Sequence, residues 1–332
     1  MAPDDNRILA LKQFFSMKRR VVAVAHKGPD GDALGSLLAL QAFLLKAGHD
    51  VYSVTPNDCP DFLKWLPGYK QATTFRFHEA EVARAIQHAE CIFHLDYNDL
   101  KRAGDMGPLL ERSGAMHVLI DHHLQPSVPA DVVFSEPSRC ATAELLFDIL
   151  EAWDSRRMDV DIATCIYAGM MTDTGCFSYN VQHSDTFRTV ARLMDMGVDR
   201  NAVSAAVFDN YSEYRMRLLG YCLSHKMEIY PEKHAALIAL SVDEQQQYHY
   251  VEGDSEGFVN FPFSVAGVRF VAFIREEEDR VKISLRSRGD FDVRAIASTY
   301  FHGGGHKNAS GGELQLPLQT VVGRFYQVLE TL

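Results

Sequence analysis

The chain has no Cys-x-x-Cys pair, although six cysteines occur among its 332 residues. Such pairs are typical of zinc ribbons and redox motifs, so their absence predicts free thiols packed in the interior, Cys176 included. The chain also has no apolar run of about 18 residues, the length needed to cross a bilayer. Its first residues lack the basic-then-apolar plan of a signal peptide. We therefore expect a cytoplasmic protein with no membrane partner.

The chain also has no excess of basic over acidic residues. The 33 Lys and Arg residues are outnumbered by 44 Asp and Glu residues, and the net charge is −11. A protein that binds long nucleic acid needs a basic surface to neutralise many phosphates. The charge therefore argues against a long duplex or strand as partner, but it leaves room for a small phosphorylated ligand held by a few local charges.

Short apolar runs alternate with helical patterns through the first half of the chain. This alternation predicts an α/β fold of the Rossmann-like kind, with a parallel sheet and helices on both of its faces. The predicted strands cover residues 21–25, 51–55, 91–95 and 118–120. The predicted helices cover residues 33–47, 79–89, 141–153 and 160–171, and further helical segments run over 184–227.

The length of the chain predicts that a second, smaller domain of mixed α/β type follows the first. We place the first domain over residues 1–195, a helical connector over 196–227 and the second domain over 228–332. In the second domain the predicted strands cover residues 234–241, 268–275 and 280–288, and a predicted helix covers 293–301.

Acidic and imidazole side chains stand directly after three of the predicted strands. Strand carboxyl ends in an open α/β sheet converge on one crevice, where such folds bind ligands. Carboxylate and imidazole together suit manganese or magnesium better than structural zinc, which usually draws on thiolates. Taken alone, the first pattern, His-x-x-x-Asp-x-Asp, is as typical of a polar loop with a helix N-cap. The residues are His26, Asp30 and Asp32, then Asp96, then Asp121, His122 and His123, with Asp173 further along.

Two features of the second domain suit an anionic ligand. The strand over residues 280–288 alternates apolar and polar residues, which places its basic side chains on one face. Successive glycines further along let backbone N–H groups converge on an anion. Taken alone, a basic strand face is usually just solvated, and a glycine run is as often a flexible turn. The residues concerned are Arg286, Arg288, Gly304, Gly305 and His306.

These motifs, in this order, resemble those of the DHH phosphoesterase superfamily, and the glycine run resembles its DHHA1 substrate-binding domain. The match is best with the short two-domain branch of nanoRNases and pAp phosphatases (NrnA-like). The resemblance implies a DHH domain followed by a DHHA1 domain, with two divalent metal ions, manganese first and magnesium as the alternative. It implies that one metal is bound by His26 and Asp30, the other by Asp32, His122 and Asp173, and that Asp96 bridges both.

The resemblance also implies roles outside the metal site. His123 is implied to be a catalytic residue that contacts the substrate phosphate, and Asp121 to be a catalytic partner that orients a histidine. Taken alone, Asp121 is nearly as typical of a simple cap at a strand end. For Arg102, in the second motif, we expect a structural ion pair, with substrate contact as the alternative. The residues implied to bind the unreactive part of the substrate are Arg286, Arg288, Gly304, Gly305 and His306.

The implied function is that of a manganese-dependent phosphoesterase in which a metal-activated water is the nucleophile. The implied substrates are short single-stranded oligonucleotides or small phosphorylated nucleotides such as 3′-phosphoadenosine-5′-phosphate (pAp). The alternatives are a phosphodiesterase for linear or cyclic dinucleotides, a polyphosphatase or pyrophosphatase, a RecJ-like exonuclease, and a nucleotide-binding protein without activity. The sequence leaves a homodimer open.

Overall fold

The computed structural model describes residues 5–181, 183–209 and 211–332. The chain divides into two compact units, one ending at residue 210 and the other covering residues 211–332. The segment predicted as a helical connector is shared between them, because its first helix lies in the first unit and its last helix in the second.

A parallel six-stranded sheet forms the centre of the first unit, in the order β3-β2-β1-β4-β5-β6. The chain therefore runs outward from β1 to one edge and then returns to build the other half. This reversal places the carboxyl ends of β1 and β4 side by side, where such sheets bind ligands. The strands are β1 (Arg20–Val24), β2 (Asp50–Thr55), β3 (Thr73–Thr74), β4 (Cys91–Leu95), β5 (Met116–Asp121) and β6 (Val132–Ser135).

Helices cover both faces of this sheet, as the sequence predicted. Alternate residues of β1 point to opposite sides, so that Val21 and Ala23 belong to one apolar core and Val22 and Val24 to the other. The first core includes α1, α2 and α5 to α8, and the second includes α3 and α4. The helices are α1 (Asn6–Phe14), α2 (Gly31–Lys46), α3 (Phe75–His88), α4 (Gly107–Glu111), α5 (Thr142–Asp154), α6 (Val160–Asp173), α7 (Ser184–Asp195) and α8 (Arg200–Phe208).

Helices α2 and α6 pack unusually close to one another through glycine. A β-carbon at Gly35 would lie 2.4 Å from the carbonyl oxygen of Cys165, and one at Gly169 would lie 3.3 Å from the α-carbon of Asp32. Neither position has room for a side chain. Since Asp32 is in the first turn of α2 and α6 ends at Asp173, this contact brings two acidic residues together.

The second unit contains a mixed sheet, in the order β11-β12-β10-β9-β8-β7, in which only β8 and β9 pair in parallel among the described residues. Val281, Ile283 and Leu285 of β10 are buried against α11 and α12, so the predicted alternation is confirmed. The elements are α9 (Glu213–Tyr221), β7 (Met227–Tyr230), β8 (Ala235–Leu240), α10 (Val242–Gln247), β9 (Phe270–Glu276), β10 (Val281–Ser287), α11 (Val293–Tyr300), β11 (Gly304–Gly305), β12 (Ala309–Leu314) and α12 (Leu318–Thr331).

Cysteine packing follows the sequence except at one position. Five cysteines are buried, but Cys176 is exposed, so the prediction that it packs in the interior is wrong. The reason is local, because Gly175, Cys176 and Phe177 all have positive φ values just past the end of α6, and the chain turns outward there. Across the described ranges, every helix is too short or too polar to span a bilayer.

Candidate metal centre

The side chains that follow β1, β4 and β5 meet at one edge of the first sheet. Asp96, directly after β4, is buried between two histidines. Its Oδ2 atom lies 3.4 Å from His26 Nε2, and its Oδ1 atom lies 3.7 Å from His122 Nε2. One carboxylate therefore faces two imidazoles, one with each of its oxygens.

Asp96 adopts a left-handed backbone conformation, with φ at 63°. This region is unfavourable for residues other than glycine, although Asp and Asn tolerate it best, and such strain is concentrated at functional sites. Two contacts hold Asp96 there: its backbone N–H donates to the Ile120 carbonyl at 3.1 Å, and its Oδ1 accepts from Thr142 Oγ1 at 2.9 Å.

His26, Asp30 and Asp96 form the first cluster of donor atoms. His26 Nδ1 lies 3.0 Å from the Lys27 carbonyl, which can only accept, so the proton is on Nδ1. In the neutral ring Nε2 then carries the lone pair; this atom is buried, without a hydrogen-bond partner among the described residues, and 3.8 Å from Asp30 Oδ2. A deprotonated imidazole nitrogen between two carboxylates fits a metal ion.

Asp30 is both a helix cap and a member of the first cluster. Its Oδ1 accepts hydrogen bonds from the backbone N–H groups of Asp32 and Ala33, at 3.1 and 3.0 Å, and so caps α2. Its Oδ2 points to His26 instead. The cap and the ligand alternatives raised by the sequence are therefore compatible, because each uses a different oxygen.

His122 is the centre of a second cluster. Its Nε2 lies 3.8 Å from Asp32 Oδ2, 3.7 Å from Asp96 Oδ1 and 3.7 Å from Asp173 Oδ2. Its Nδ1 lies 3.2 Å from the Arg139 carbonyl, which fixes the proton on Nδ1 and directs Nε2 to the carboxylates. This arrangement, in which a backbone carbonyl orients a histidine, is usual at metal sites.

The first turn of α5 completes the second cluster, and no sequence motif indicated this directly. Asp32 accepts hydrogen bonds from the backbone N–H groups of Thr142 and Ala143, at 2.7 and 2.8 Å. A helix leaves its first N–H groups unsatisfied unless a cap supplies acceptors. The residue before α5 is Ala141, which has no capping side chain, and this is the one local sign that a distant carboxylate takes that role.

The ionisation of the cluster reflects its excess of negative charge. Burial, together with the nearby carboxylates of Asp96 and Asp173, raises the pKa of Asp32 well above its usual value. Burial alone would lower the pKa of His26 and His122, but the surrounding carboxylates outweigh it and raise both. Burial opposes ionisation of Asp96 as well, yet its histidine neighbours lower its pKa. Divalent cations fit this oxygen-rich and nitrogen-rich set of donors.

His123 has a different environment from His122. Its Nδ1 donates to Asp121 Oδ1 at 2.7 Å, and its Nε2 lies 2.8 Å from Arg102 Nη1. Since a guanidinium can only donate, Nε2 accepts and the proton is on Nδ1. Arg102 thus contacts His123 beside the metal cluster, while the structural ion pair that we expected for it stays a prediction.

The predicted substrate residues of the second unit lie at one end of its sheet. Gly304 and Gly305 form β11 and pair with Gly311 and Ser310 of β12, while Arg286 of β10 lies opposite Ala309 on the other side of β12. Arg288 follows β10 directly, and the backbone N–H of His306 donates to the Ala309 carbonyl at 2.7 Å. The glycine run is therefore a paired strand and not a flexible turn.

Comparisons with known proteins agree with both units. The model of the DHH family, N-terminal domain, matches residues 20–170, and that of the DHHA1 domain matches residues 232–332. The bifunctional oligoribonuclease and PAP phosphatase NrnA of Thermus thermophilus is 28% identical, over 89% of this chain and 84% of that protein. The cyclic-di-AMP phosphodiesterase GdpP of Bacillus subtilis is 26% identical, over 92% of this chain and 46% of that protein.

A solved structure is similar over nearly the full length. It is that of an exopolyphosphatase-related protein from Bacteroides fragilis, with 39% identity, a TM-score of 0.94, and coverage of 98% of this chain and 96% of that one. All the donor residues at the strand ends fall within the matched DHH region, and Asp173 lies just beyond it. The chain therefore belongs to the DHH phosphoesterase family, in the NrnA-like group in which a DHHA1 domain follows the DHH domain.

Proposed function

We propose that this protein is a two-metal phosphoesterase that hydrolyses short oligonucleotides and pAp. The observation that carries the proposal is the position of Asp96, whose two carboxylate oxygens face His26 and His122 separately. Asp96, which offers one oxygen to each of two donor clusters, would be a ligand common to both ions. The two curated comparisons described above are with a phosphatase and oligoribonuclease and with a phosphodiesterase, which supports hydrolysis of a phosphate ester.

The residues of the site divide into two ligand sets that share Asp96. His26 and Asp30 would hold the first ion, and Asp32, His122 and Asp173 the second. When bound, the ions supply a water of lowered pKa and stabilise the charge that develops on the phosphoryl oxygens. The donor set favours manganese, because imidazole and carboxylate occur together, and magnesium is the alternative.

His123 and Arg102 are placed to contact the substrate phosphate. His123 Nδ1 lies 3.6 Å from Asp96 Oδ1, and Arg102 contacts His123 Nε2, so the two residues form a pair of nitrogen groups beside the cluster. Asp121 is fully buried beneath His123 and orients its ring. When a phosphate oxygen arrives, Arg102 can donate to it at the cost of its bond to His123, and His123 can donate through Nε2 when that nitrogen also carries a proton.

The second unit supplies the groups for the unreactive part of the substrate. Arg286 and Arg288 would contact a second phosphate or a base, and Gly304, Gly305 and His306 would approach it closely. Gly304 is exposed, and a β-carbon added there would meet nothing within 4 Å, so its missing side chain leaves space above the strand. An oligonucleotide of a few residues supplies this second anchoring point, whereas a simple phosphate ester does not.

A substrate panel tests the proposal. Initial rates are measured with Mn²⁺ and with Mg²⁺ at physiological salt, for pAp, RNA and DNA of two to five nucleotides, cyclic di-AMP, inorganic tripolyphosphate and an RNA of about 24 nucleotides. We expect hydrolysis of pAp and the shortest oligonucleotides, and much slower hydrolysis of the long RNA, because the net charge of −11 opposes extended phosphate binding. Turnover confined to tripolyphosphate or to cyclic di-AMP would replace the proposal with the corresponding alternative.

A further inference from the structure

A short 3₁₀ segment of the second unit, Phe258–Ser264, packs on the face of the sheet formed by β9 and β10. It is anchored from below by Phe258, which is buried and meets the Phe273 ring edge-on at a centroid distance of 6.1 Å. Phe263, near its end, is only partly buried. The segment therefore places the partly buried ring of Phe263 beside Arg288, the residue that follows β10.

Arg288 lies on that ring. Its guanidinium carbon is 4.6 Å from the centroid of the Phe263 ring, and its Nη1 donates to the Phe263 carbonyl at 3.2 Å. One face of the guanidinium is thus covered by phenylalanine. Because Arg288 as a residue is exposed, the opposite face of the guanidinium plane is open to solvent.

The charge of Arg288 is not neutralised within the part of the chain that the structure describes. Two other basic groups of the same unit are paired with carboxylates, Arg280 with Glu277 and Lys307 with Asp290. Arg288 instead contacts a main-chain carbonyl, which leaves its full positive charge available. A surface cation–π contact of this kind adds little to folding, so the protein's own stability does not account for the arrangement.

The face of the sheet next to Arg288 includes positions with small or no side chains. On the same face of the sheet, Arg286 and Ser284 of β10 stand opposite Ala309 and Gly311 of β12. Ala309 and Gly311 project little from the sheet, so they leave a shallow surface (the floor), which is bordered on one side by Arg288 and the Phe263 ring. A planar group of the size of a nucleobase fits such a border, with the ribose and phosphate over the floor.

We propose that the stacked pair Phe263–Arg288 is the platform on which one nucleobase of the substrate stacks. Bases are commonly bound by aromatic rings and by the planar face of arginine, and this mode of binding tolerates any base. The platform makes the enzyme prefer nucleotides to base-free phosphate esters, and it assigns Arg286 rather than Arg288 to the phosphate. This inference rests on the proposed function, since it takes a nucleotide as the substrate.

The test compares the dinucleotide pApA with two analogues, each of which lacks one of the two adenines. Phe263→Ala should raise KM for pApA about tenfold, equivalent to about 1.4 kcal/mol, without a change in kcat. It should leave KM unchanged for the analogue that lacks the adenine bound by the platform. Phe263→Leu, which keeps the apolar volume, should behave like the alanine variant, and Phe263→Tyr should restore the wild-type KM. Phe261→Ala is the matched control, since Phe261 is 42% exposed on the same segment and makes no arginine contact among the described residues.

Equilibrium binding separates failure of the platform from failure of the proposed function. A dinucleotide that carries 2-aminopurine should lose fluorescence on binding the wild-type protein, and Phe263→Ala should abolish that quenching whether or not turnover occurs. If pApA is hydrolysed but Phe263→Ala leaves its KM unchanged, or raises KM equally for both single-adenine analogues, the platform is wrong while the proposed function stands. If no dinucleotide is hydrolysed but quenching depends on Phe263, the platform stands and the proposed reaction is wrong.

Discussion

The buried carboxylate of Asp121 holds the ring of His123 through a bond of 2.7 Å between Oδ1 and Nδ1. His123 thus differs from its neighbour His122, whose ring is oriented by a backbone carbonyl and whose Nε2 faces three carboxylates. Two adjacent histidines are in this way given different partners and, in our proposal, different roles.

His123→Ala should therefore bind metal almost normally and turn over poorly. Loss of one charge-assisted phosphate contact is worth about 1.5–3 kcal/mol, or roughly a tenfold to hundredfold loss of rate. His122→Ala, as the matched variant, should lose metal. Calorimetric titration with Mn²⁺ and initial rates distinguish the two, and a His123→Ala protein that loses metal while His122→Ala retains it would reverse the assignment.

Asp121→Asn should lower the rate of turnover, as His123→Ala does, but by a smaller factor. The amide keeps the shape of the side chain but removes the charge that orients and polarises the imidazole, and such partners usually contribute about 10- to 100-fold. In the double variant, Asp121→Asn should add little to the loss caused by His123→Ala, because Asp121 acts through that ring. Additive losses in kcat would show that Asp121 has a separate role.

Asp96→Asn should abolish turnover and leave the fold intact. Asparagine tolerates the positive φ of this position as well as aspartate does, and its side chain can still accept from Thr142. It cannot bridge two cations with two anionic oxygens. We expect a melting temperature close to that of the wild type, fewer than two bound metals by elemental analysis, and no measurable rate. Asp61→Asn is the control, since that carboxylate is 83% exposed, and normal turnover by Asp96→Asn with two bound metals would exclude the bridging role.

The metal-free protein should become less stable as the pH rises above about 6.5. In the folded state the pKa values of His26 and His122 are raised, because neighbouring carboxylates outweigh the effect of burial. The folded state therefore binds more protons than the unfolded state, and this stabilisation is complete below the unfolded pKa and is lost as the pH rises through the folded pKa. The raised pKa of Asp32 acts in the same direction, starting from its lower unfolded value.

Manganese should oppose this loss, because metal and proton compete for the same Nε2 atoms. The rise in melting temperature on adding Mn²⁺ should therefore be larger at pH 8 than at pH 6. Melting curves of chelator-treated protein, with and without Mn²⁺, measure both effects, and the His26→Gln variant should show a weaker dependence on pH. A shift on adding Mn²⁺ that is the same at every pH would contradict the competition.

Gly303 and Gly304 should respond oppositely to alanine. A β-carbon at Gly303 would lie 1.8 Å from the Gly311 carbonyl oxygen, so Gly303→Ala should destabilise the protein by about 2–4 kcal/mol. A β-carbon at Gly304 would meet nothing within 4 Å, so Gly304→Ala should fold normally and raise KM for short oligonucleotides. Urea unfolding and steady-state kinetics check the pair, and a Gly304→Ala protein with an unchanged KM would remove Gly304 from the substrate site.

Much of the first unit could be predicted because the sequence patterns that define it span only a few consecutive residues. Buried parallel strands are short apolar runs, and the ligands follow them directly, so His26, Asp96 and His122 are visible from their position in the chain alone. The parallel sheet then brings them together without any knowledge of distances. The same reasoning found the basic face of β10, because alternation along one strand needs no partner to be recognised.

What the sequence could not give depends on contacts between distant segments. The hydroxyl of Thr142 donates to Asp96, 46 residues away, and no periodicity indicates that pair. The contact of Arg102 with His123, 21 residues away, is likewise indicated by no local pattern. Strand β12 was missed because it is rich in glycine, whose role there becomes clear only when the close approach of the neighbouring backbone is seen.

The contact between α2 and α6 limits how this scaffold can be altered. A β-carbon at Gly169 would come within 3.1 Å of Asp32 Oδ1, so the spacing of the acidic groups is set by a residue that has no functional group of its own. Directed evolution toward another metal should therefore find larger residues excluded at Gly35 and Gly169, however the donor residues themselves are varied. Libraries built on this fold should keep both glycines fixed and place their diversity on the exposed loops.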